Sequence, residues 1–171
     1  MGIIGGIIMT LNEKIGEILK RHKEGEEFFN ALDYTIRGDK DILKDFYEFT
    51  LNNVFVNSSI NRTSYNIIVS GRFGMSLLTN YGYNICANFN KVIVTNGNIR
   101  KGELPEIYCN GFEEKPFIFL DDSFYSGKTR DIIQQELFKI EETARIEKTF
   151  VIYDGSLKKQ NNVFSLFRYH K

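Results

Sequence analysis

The stretch FIFLDDSFYSGKTRDII, residues 117–133, decides the fold. Its apolar run Phe117–Leu120 is followed by two aspartates, a glycine turn and a segment with helical periodicity. A short apolar run without polar alternation is typical of a strand that is buried on both faces. The order of strand, glycine turn and helix therefore predicts one βα unit of a parallel α/β sheet.

Composition limits the classes of partner. The chain has 171 residues, of which 42% are hydrophobic, so it can bury one substantial core, and we expect a single domain. Lys plus Arg and Asp plus Glu number 22 each. Because no net field draws the protein to polyanions, we expect neither nucleic acid nor a membrane as a partner. Any phosphate ligand must be recognised by local groups.

The N-terminus and the cysteines add two expectations. The apolar stretch MGIIGGIIM, residues 1–9, is too short to span a bilayer and lacks the basic region of a signal peptide. We expect it to be a disordered leader outside the fold. Cys86 and Cys109 have neither metal-ligand spacing nor the density of a secreted disulfide scaffold. Reduced thiols in a cytoplasmic protein are the expectation.

Periodicity divides the rest of the chain into two parts. Residues 10–52 are predicted to be a helical N-terminal part, with helices over Leu11–His22, Glu26–Ile36 and Asp39–Leu51. Thr10 and Glu13 form a capping-box pattern at the first helix.

Residues 53–171 are predicted to be an α/β core. The predicted strands are Val54–Val56, Asn66–Val69, Val92–Val94, Phe117–Leu120 and Thr149–Tyr153, with helices over Met75–Tyr81 and Thr129–Ile140. We expect a mostly parallel, twisted sheet of four or five strands with helices on both faces. Ligands of such sheets bind at the carboxyl ends of the strands.

Two nucleotide-binding motifs fail at the aspartates. Gly127-Lys128-Thr129 matches the tail of GxxxxGK[ST], but the first glycine of that motif is replaced by Asp122. A carboxylate there would repel the polyphosphate. A Walker B strand would require a Walker A loop elsewhere, and the chain has none.

A sugar phosphate satisfies the whole stretch. Two carboxylates at a strand end can accept hydrogen bonds from the vicinal hydroxyls of ribose. The turn Ser123–Thr129 then opens onto a helix whose free N–H groups favour a phosphate monoester. Gly127 permits close backbone approach. The alternative is a buried strand that ends in solvated aspartates, followed by a helix capped by Ser126.

Residues 117–129 resemble the phosphoribosyl-pyrophosphate motif of type I phosphoribosyltransferases. That motif is an apolar strand, two acids, three variable residues, then Thr or Ser, Gly, any residue, and Thr or Ser. The matching residues are Phe117, Ile118, Phe119, Leu120, Asp121, Asp122, Ser126, Gly127 and Thr129. The resemblance covers about half of the chain, residues 66–153. It implies transfer of a 5-phosphoribosyl group from phosphoribosyl pyrophosphate to a nitrogenous base, with release of pyrophosphate.

The resemblance also implies roles for residues. Asp121 and Asp122 would be catalytic and would hold Mg²⁺, mostly through the ligand and water. The 5-phosphate would be bound by Ser123, Phe124, Tyr125, Ser126, Gly127, Lys128 and Thr129. A second loop would carry catalytic Arg72 among the substrate-binding residues Ser70, Gly71, Phe73 and Gly74; in the family this loop often contains a non-proline cis peptide. An exposed arginine in an ordinary strand-to-helix turn is the alternative.

Three further features concern the lid and the acceptor. Arg100 and Lys101 are similar to the mobile basic loop of orotate phosphoribosyltransferases, although a solvated hairpin tip is an equal interpretation. Tyr125 stands where hypoxanthine-guanine enzymes carry an aspartate that handles the purine N7 proton. Because the ordinary pKa of tyrosine is about 10, a 6-oxopurine acceptor is disfavoured. Candidates for the hood over the base are Phe28, Phe29, Tyr34, Phe164, Phe167 and Tyr169.

Two alternatives to this enzyme remain open. The same fold serves in regulatory proteins that bind ribose phosphates or nucleotides without turnover, and a nucleotide-triphosphate hydrolase would instead depend on Lys128. Dimers are usual in the resembled family, so a homodimer is compatible with the sequence, which does not select an oligomeric state.

Overall fold

The computed structural model describes residues 10–22, 25–55, 64–95, 104–107 and 114–169. Within these ranges the chain forms five helices and a five-stranded sheet. In chain order the elements are α1 (Leu11–Arg21), α2 (Glu26–Gly38), α3 (Lys40–Phe55), β1 (Asn66–Ser70), α4 (Gly71–Asn88), β2 (Lys91–Thr95), β3 (Phe117–Phe124), α5 (Lys128–Ile140), β4 (Ile146–Asp154) and β5 (Val163–Arg168).

The sheet has the strand order β2-β1-β3-β4-β5. Each of the four neighbouring pairs is parallel. The prediction of an α/β fold with four or five strands is confirmed, and the described sheet is parallel throughout.

Alternation along the central strands explains why helices cover both faces. In β1, Ile67 and Val69 pack in a cluster with residues of α1–α4, whereas Ile68 packs in a second cluster with α5. Ile118 and Leu120 of β3 join the first cluster, and Phe117 and Phe119 join the second. Since successive side chains point to opposite faces, a continuous apolar run supplies both cores.

The N-terminal helices begin where the sequence predicts. Thr10 Oγ1 accepts a hydrogen bond from Glu13 N (3.3 Å), and Glu13 Oε2 accepts one from Thr10 N (2.7 Å), so the capping box is present. At the start of α3, Asp39 Oδ1 accepts hydrogen bonds from the amides of Asp41 (3.0 Å) and Ile42 (3.2 Å). The residues that cap these helices are local in sequence.

The predicted strand Val54–Val56 is wrong at Val54, because α3 continues to Phe55. Val54 is buried in the helical core cluster. Thr50 Oγ1 and Asn53 Nδ2 donate to the carbonyls of Phe46 (2.9 Å) and Phe49 (2.8 Å), one helical turn earlier. Tertiary packing of the helix outweighs the strand preference of β-branched valine.

A fifth strand lies in the tail that was predicted to contribute to a base-binding hood. β5 pairs with β4 from Thr149↔Val163 to Asp154↔Arg168. Phe164 stacks on Phe150 at 4.9 Å, and Phe167 stacks on Tyr153 at 5.9 Å between ring centroids. Phe164 and Phe167 therefore pack against β4 at the edge of the sheet, and their contact with a base stays a prediction.

Some predictions lie outside the described residues, namely those for residues 1–9, Arg100, Lys101 and Cys109. Cys86 is exposed on α4 and is a free thiol. Among the described helices, none is both long and apolar enough to cross a membrane.

Candidate active site

The strand order places the β1–α4 and β3–α5 connections together. β1 has β2 on one side and β3 on the other, so the chain changes direction along the sheet between β1 and β3. Parallel sheets bind ligands in the crevice at such a switch point, outside the carboxyl ends of the strands. Val69 pairs with Leu120. The next residues, Ser70 and Asp121, therefore lie at the same level on strands that are about 4.8 Å apart.

Asp121 and Asp122 lie inside β3 and are 9% and 8% exposed. β3 extends four residues beyond the prediction because Asp121, Ser123 and Phe124 pair with β4. Asp122 N donates to Asp121 Oδ1 at 3.0 Å, and Ser123 Oγ donates to Asp122 Oδ1 at 2.9 Å. Buried carboxylates need such donors. The arrangement orients two acids at the switch point.

The turn into α5 is shorter than predicted, because Ser123 and Phe124 belong to β3. We call Tyr125–Gly127 the β3–α5 loop. Gly127 has φ +78° and ψ 0°, and a Cβ there would lie 3.0 Å from Phe124 Cζ. Both the left-handed backbone and the close ring require glycine.

The N-terminus of α5 faces this carboxyl edge without a side-chain cap from Gly127. The first intrahelical hydrogen bond runs from Asp131 N to Gly127 O (3.0 Å). Lys128 N makes a long contact of 3.4 Å to Ser126 Oγ. Amides in the first turn of a helix, together with the helix dipole, attract anions. Lys128 itself is exposed as the first residue of α5.

The segment Ser70–Gly74 is largely the first turn of α4, which corrects its prediction as a loop. Ser70 ends β1, and α4 begins at Gly71, whose φ is +45°. Arg72 is exposed in this first turn, at the same edge of the sheet as the aspartates. A Cβ at Gly74 would lie 2.9 Å from the Val69 backbone, so glycine lets α4 approach β1 closely. No cis peptide occurs within the described ranges.

The aromatic hood candidates of α2 occupy different environments. Phe29 contacts Tyr125 edge-on, with ring centroids 6.0 Å apart at 87°. Phe28 is fully buried against Tyr153 at 5.2 Å, so it is a core residue. Tyr34 is 78% exposed. α2 therefore brings Phe29 to the β3–α5 loop, and Tyr125 keeps a 40% exposed side chain.

Two residues near the loop, Asp154 and Arg130, are not among the site residues that the sequence predicts. Asp154 ends β4 and is 2% exposed. Its Oδ1 accepts a hydrogen bond from Ser156 N (2.9 Å), and its Oδ2 forms an ion pair with Arg168 (3.4 Å). Its position after an apolar strand, as for Asp121, is the signal that could have identified it. Arg130 lies over the Phe124 ring at 5.4 Å, a contact without a sequence signal.

The two aspartates have the chemistry that a magnesium site requires. Asp121 and Asp122 offer hard oxygen donors, which suit Mg²⁺. The described ranges contain no group of three His, Cys, Asp or Glu side chains that could hold a metal ion. Two carboxylates are compatible with an ion that receives its other ligands from substrate and water, and the magnesium ion stays a prediction.

Solved structures share this architecture, although the sequence matches no protein-family profile and no curated protein sequence. Purine phosphoribosyltransferase from Pyrococcus horikoshii is 19% identical with a TM-score of 0.50, over 77% of this chain and 85% of that one. Xanthine-guanine-hypoxanthine phosphoribosyltransferase from Helicobacter pylori is 9% identical with a TM-score of 0.51, over 74% and 83% of the two chains. Adenine phosphoribosyltransferase from Trypanosoma brucei, in complex with AMP, pyrophosphate and ribose-5-phosphate, is 14% identical with a TM-score of 0.52, over 70% and 55%.

At these identities the likeness establishes the fold. The five-stranded parallel sheet with helices on both faces is consistent with it. The chain has the fold of the type I phosphoribosyltransferases.

Proposed function

We propose that this protein transfers a 5-phosphoribosyl group from phosphoribosyl pyrophosphate to a nitrogenous base and releases pyrophosphate. The observation that carries the proposal is the convergence of three parts at one switch point. These parts are the buried acids of β3, the start of α5 with glycine as its N-cap residue, and Arg72 in the first turn of α4. Each part suits a different portion of one ligand.

The ribose and its 5-phosphate fit the β3 side of the site. Asp121 and Asp122 would accept hydrogen bonds from the two ribose hydroxyls. The amides at the start of α5, with the hydroxyls of Ser126 and Thr129, would hold the 5-phosphate. The two carboxylates alone would repel a phosphate group. The partial positive charge at the N-terminus of α5, one turn further along the chain, would attract it.

The pyrophosphate fits the β1 side of the site. Arg72 would stabilise the departing anion with a fixed positive charge. As the bond from the anomeric carbon to pyrophosphate breaks, the ribose acquires oxocarbenium character. The negative charge of Asp121 and Asp122 would favour that cationic ring electrostatically. Bound Mg²⁺ would neutralise the charge of the pyrophosphate.

The acceptor is proposed to be a nucleobase, without a narrower assignment. Tyr125 cannot act as a carboxylate toward a purine N7 proton at neutral pH, which disfavours a 6-oxopurine.

Arg100 and Lys101 remain the predicted lid, and the cytoplasmic location remains a prediction from cysteine usage. The second candidate is a regulatory protein that binds a ribose phosphate without turnover; the packing of the hood candidates Phe164 and Phe167 on Phe150 and Tyr153 favours it, because it leaves fewer rings to contact a base.

The test is a pyrophosphate-release assay with phosphoribosyl pyrophosphate, Mg²⁺ and a panel of purine and pyrimidine bases. The double variant Asp121→Asn/Asp122→Asn is the blank, and Asp45→Asn, an exposed residue of α3, is the matched control. We expect release by the wild type and the control, and none by the blank. Release that survives in the blank would refute the placement of the site.

Two single variants separate the candidate functions. We expect Arg72→Ala to abolish pyrophosphate release, and Thr129→Ala to weaken ligand binding. Tight binding of ribose 5-phosphate with no release for any base would favour the regulatory protein. ATP turnover that depends on Lys128 would instead favour a hydrolase.

A further inference from the structure

The connection between β4 and β5 lies beside the β3–α5 loop. We call residues 155–162 the β4–β5 segment. It joins two parallel strands with eight residues and no helix, whereas such crossovers usually need a dozen or more. The segment starts at the carboxyl edge of the sheet, because β4 ends there. The short connection therefore keeps it close to the candidate site.

The first contact is between Gly155 and the start of the loop. Gly155 N donates to Phe124 O at 2.9 Å. A Cβ on Gly155 would lie 2.7 and 2.8 Å from Cδ2 and Cε2 of Tyr125, and 2.8 Å from Cε1 of Tyr153. Gly155 does not have a positive φ. A substitution by alanine would therefore act through steric overlap and not through backbone strain.

Of the two rings, Tyr125 is the one that can yield. Tyr153 is fully buried, with Phe28 on one side and Phe167 on another. Tyr125 is 40% exposed. A methyl group at Gly155 would push Tyr125 away, and Tyr125 is the residue directly before Ser126. The ring of Tyr125 thus occupies space that a side chain at residue 155 would need.

The second contact lies just beyond the other end of the loop. Arg130 Nη1 donates to Gln160 Oε1 at 3.1 Å. The same guanidinium lies over the Phe124 ring at 5.4 Å and donates to Asp131 at 2.9 Å. Arg130 therefore connects the first turn of α5 to the β4–β5 segment. One short piece of chain therefore contacts the loop at Tyr125 and α5 at Arg130.

The segment itself is well anchored. At its start, the Asp154 carboxylate forms an ion pair with Arg168 and accepts a hydrogen bond from Ser156 N. The Asp154 carbonyl accepts a hydrogen bond from Tyr169 N at 3.0 Å. Ser156 Oγ donates to the carbonyl of Lys158 at 3.1 Å. At its end, Thr149 N donates to Asn162 O at 2.9 Å. An anchored support can position a neighbouring loop, whereas a loosely held one could not.

We propose that the β4–β5 segment positions the β3–α5 loop for binding of a phosphate monoester, with Gly155 and Gln160 as the positioning residues. The part of this statement that concerns phosphate rests on the proposed function. Neither residue needs to touch the ligand, since each acts through a residue of the loop or of α5.

Two measurements on the full chain test the proposal. Hydrogen exchange of the ligand-free protein follows the amides of Asp131 and Gly155, which donate to Gly127 O and Phe124 O on either side of the loop, and calorimetry measures the binding of ribose 5-phosphate. Gly155→Ala is compared with Gly38→Ala, where a Cβ would meet nothing within 4 Å. Gln160→Ala is compared with Gln135→Ala, an exposed residue of α5.

We expect faster exchange at the amides of Asp131 and Gly155 in both variants, and unchanged exchange in α3. The Kd of ribose 5-phosphate should rise about tenfold or more for Gly155→Ala and several-fold for Gln160→Ala, because small displacements of a binding loop have large effects. The controls should match the wild type. In a Tyr125→Ala background, Gly155→Ala should have a smaller effect than in the wild type, since the two residues are coupled.

The outcomes separate this proposal from the proposed function. If the wild type binds ribose 5-phosphate and both variants bind and exchange like their controls, the positioning role is refuted while the function stands. If the wild type does not bind but both variants speed exchange at the amides of Asp131 and Gly155, the function fails and the positioning role stands. If Gly155→Ala does not fold, Gln160→Ala decides between these results.

Discussion

Replacing Gly74 by alanine should loosen the contact between α4 and β1. A Cβ at residue 74 would lie 2.9 Å from the carbonyl carbon, Cβ and Cγ2 of Val69. Ordinary carbon contacts begin at about 3.4 Å, so the two elements must separate by about 0.5 Å. Val69 is fully buried and is held by β2 and β3 on either side. The start of α4, with Arg72, must therefore move.

The expected change in stability follows from two opposing effects. Overpacking of a tight contact destabilises by about 1–3 kcal/mol. Alanine in place of glycine inside a helix stabilises by about 0.5–1 kcal/mol. We therefore expect Gly74→Ala to lower the free energy of unfolding by up to about 2.5 kcal/mol, which corresponds to a Tm lowered by up to about 10 °C in a protein of this size.

The same helix offers a matched control. At Gly82, the nearest atom to an added Cβ is Leu78 Cβ at 3.9 Å, an ordinary contact. Gly82→Ala should therefore raise the free energy of unfolding by about 0.5–1 kcal/mol. Urea titrations and thermal scans of the wild type and both variants measure the two changes directly. A pyrophosphate-release assay on Gly74→Ala then reports whether displacement of Arg72 slows the proposed reaction.

Equal stabilisation by both substitutions would refute the reasoning, because it would mean that α4 and β1 are not in close contact at Gly74. Destabilisation by Gly82→Ala of the same size as by Gly74→Ala would refute it as well. In that case helix glycines would be required for a reason other than the approach to Val69.

Three further predictions concern single residues. Gly127→Ala should destabilise by about 1–2 kcal/mol, because φ is +78°, and should abolish ribose 5-phosphate binding in calorimetry. Burial acts to raise the pKa of Asp39, but hydrogen bonds from Lys14 and the amides of Ile42 and Asp41 outweigh it and lower the pKa below 3.8. A carboxyl group whose pKa is lower in the folded state stabilises the fold at pH values above its unfolded pKa, and this stabilisation is lost as the pH falls through the folded pKa. In urea titrations, Asp39→Ala should therefore lower the free energy of unfolding by about 1 kcal/mol near neutral pH, and by progressively less as the pH falls through the folded pKa. Burial, followed by the charge and the hydrogen bond of Glu147, raises the pKa of Tyr65 above 10.0. Its contribution to the free energy of unfolding is therefore present below pH 10.0 and is lost as the pH rises through the folded pKa. Tyr65→Phe should reduce the loss of stability at alkaline pH in urea titrations, and an unchanged alkaline profile would contradict this role.

Local patterns predicted most of the secondary structure. The helices α1, α2, α3 and α5 were located to within a few residues, since caps and apolar spacing are encoded by neighbours in the sequence. The helix α4 is longer than predicted at both ends, because Gly71 and Gly74 look like loop residues until the approach to Val69 is known. β5 was missed because it is an edge strand that becomes recognisable through its pairing with β4.

The sequence by itself determined the βα unit of residues 117–133 and the resemblance to the phosphoribosyl-pyrophosphate motif. An apolar run, two acids, a glycine and a helical period are properties of adjacent residues, so they can be recognised without the rest of the chain. The tertiary structure alone decided what surrounds that unit. It set β1 beside β3, continued β3 through the aspartates, and brought Gly155 against the loop and Gln160 against Arg130 of α5. These contacts join residues that are distant in sequence, and strand order and packing, which no local pattern encodes, bring them together.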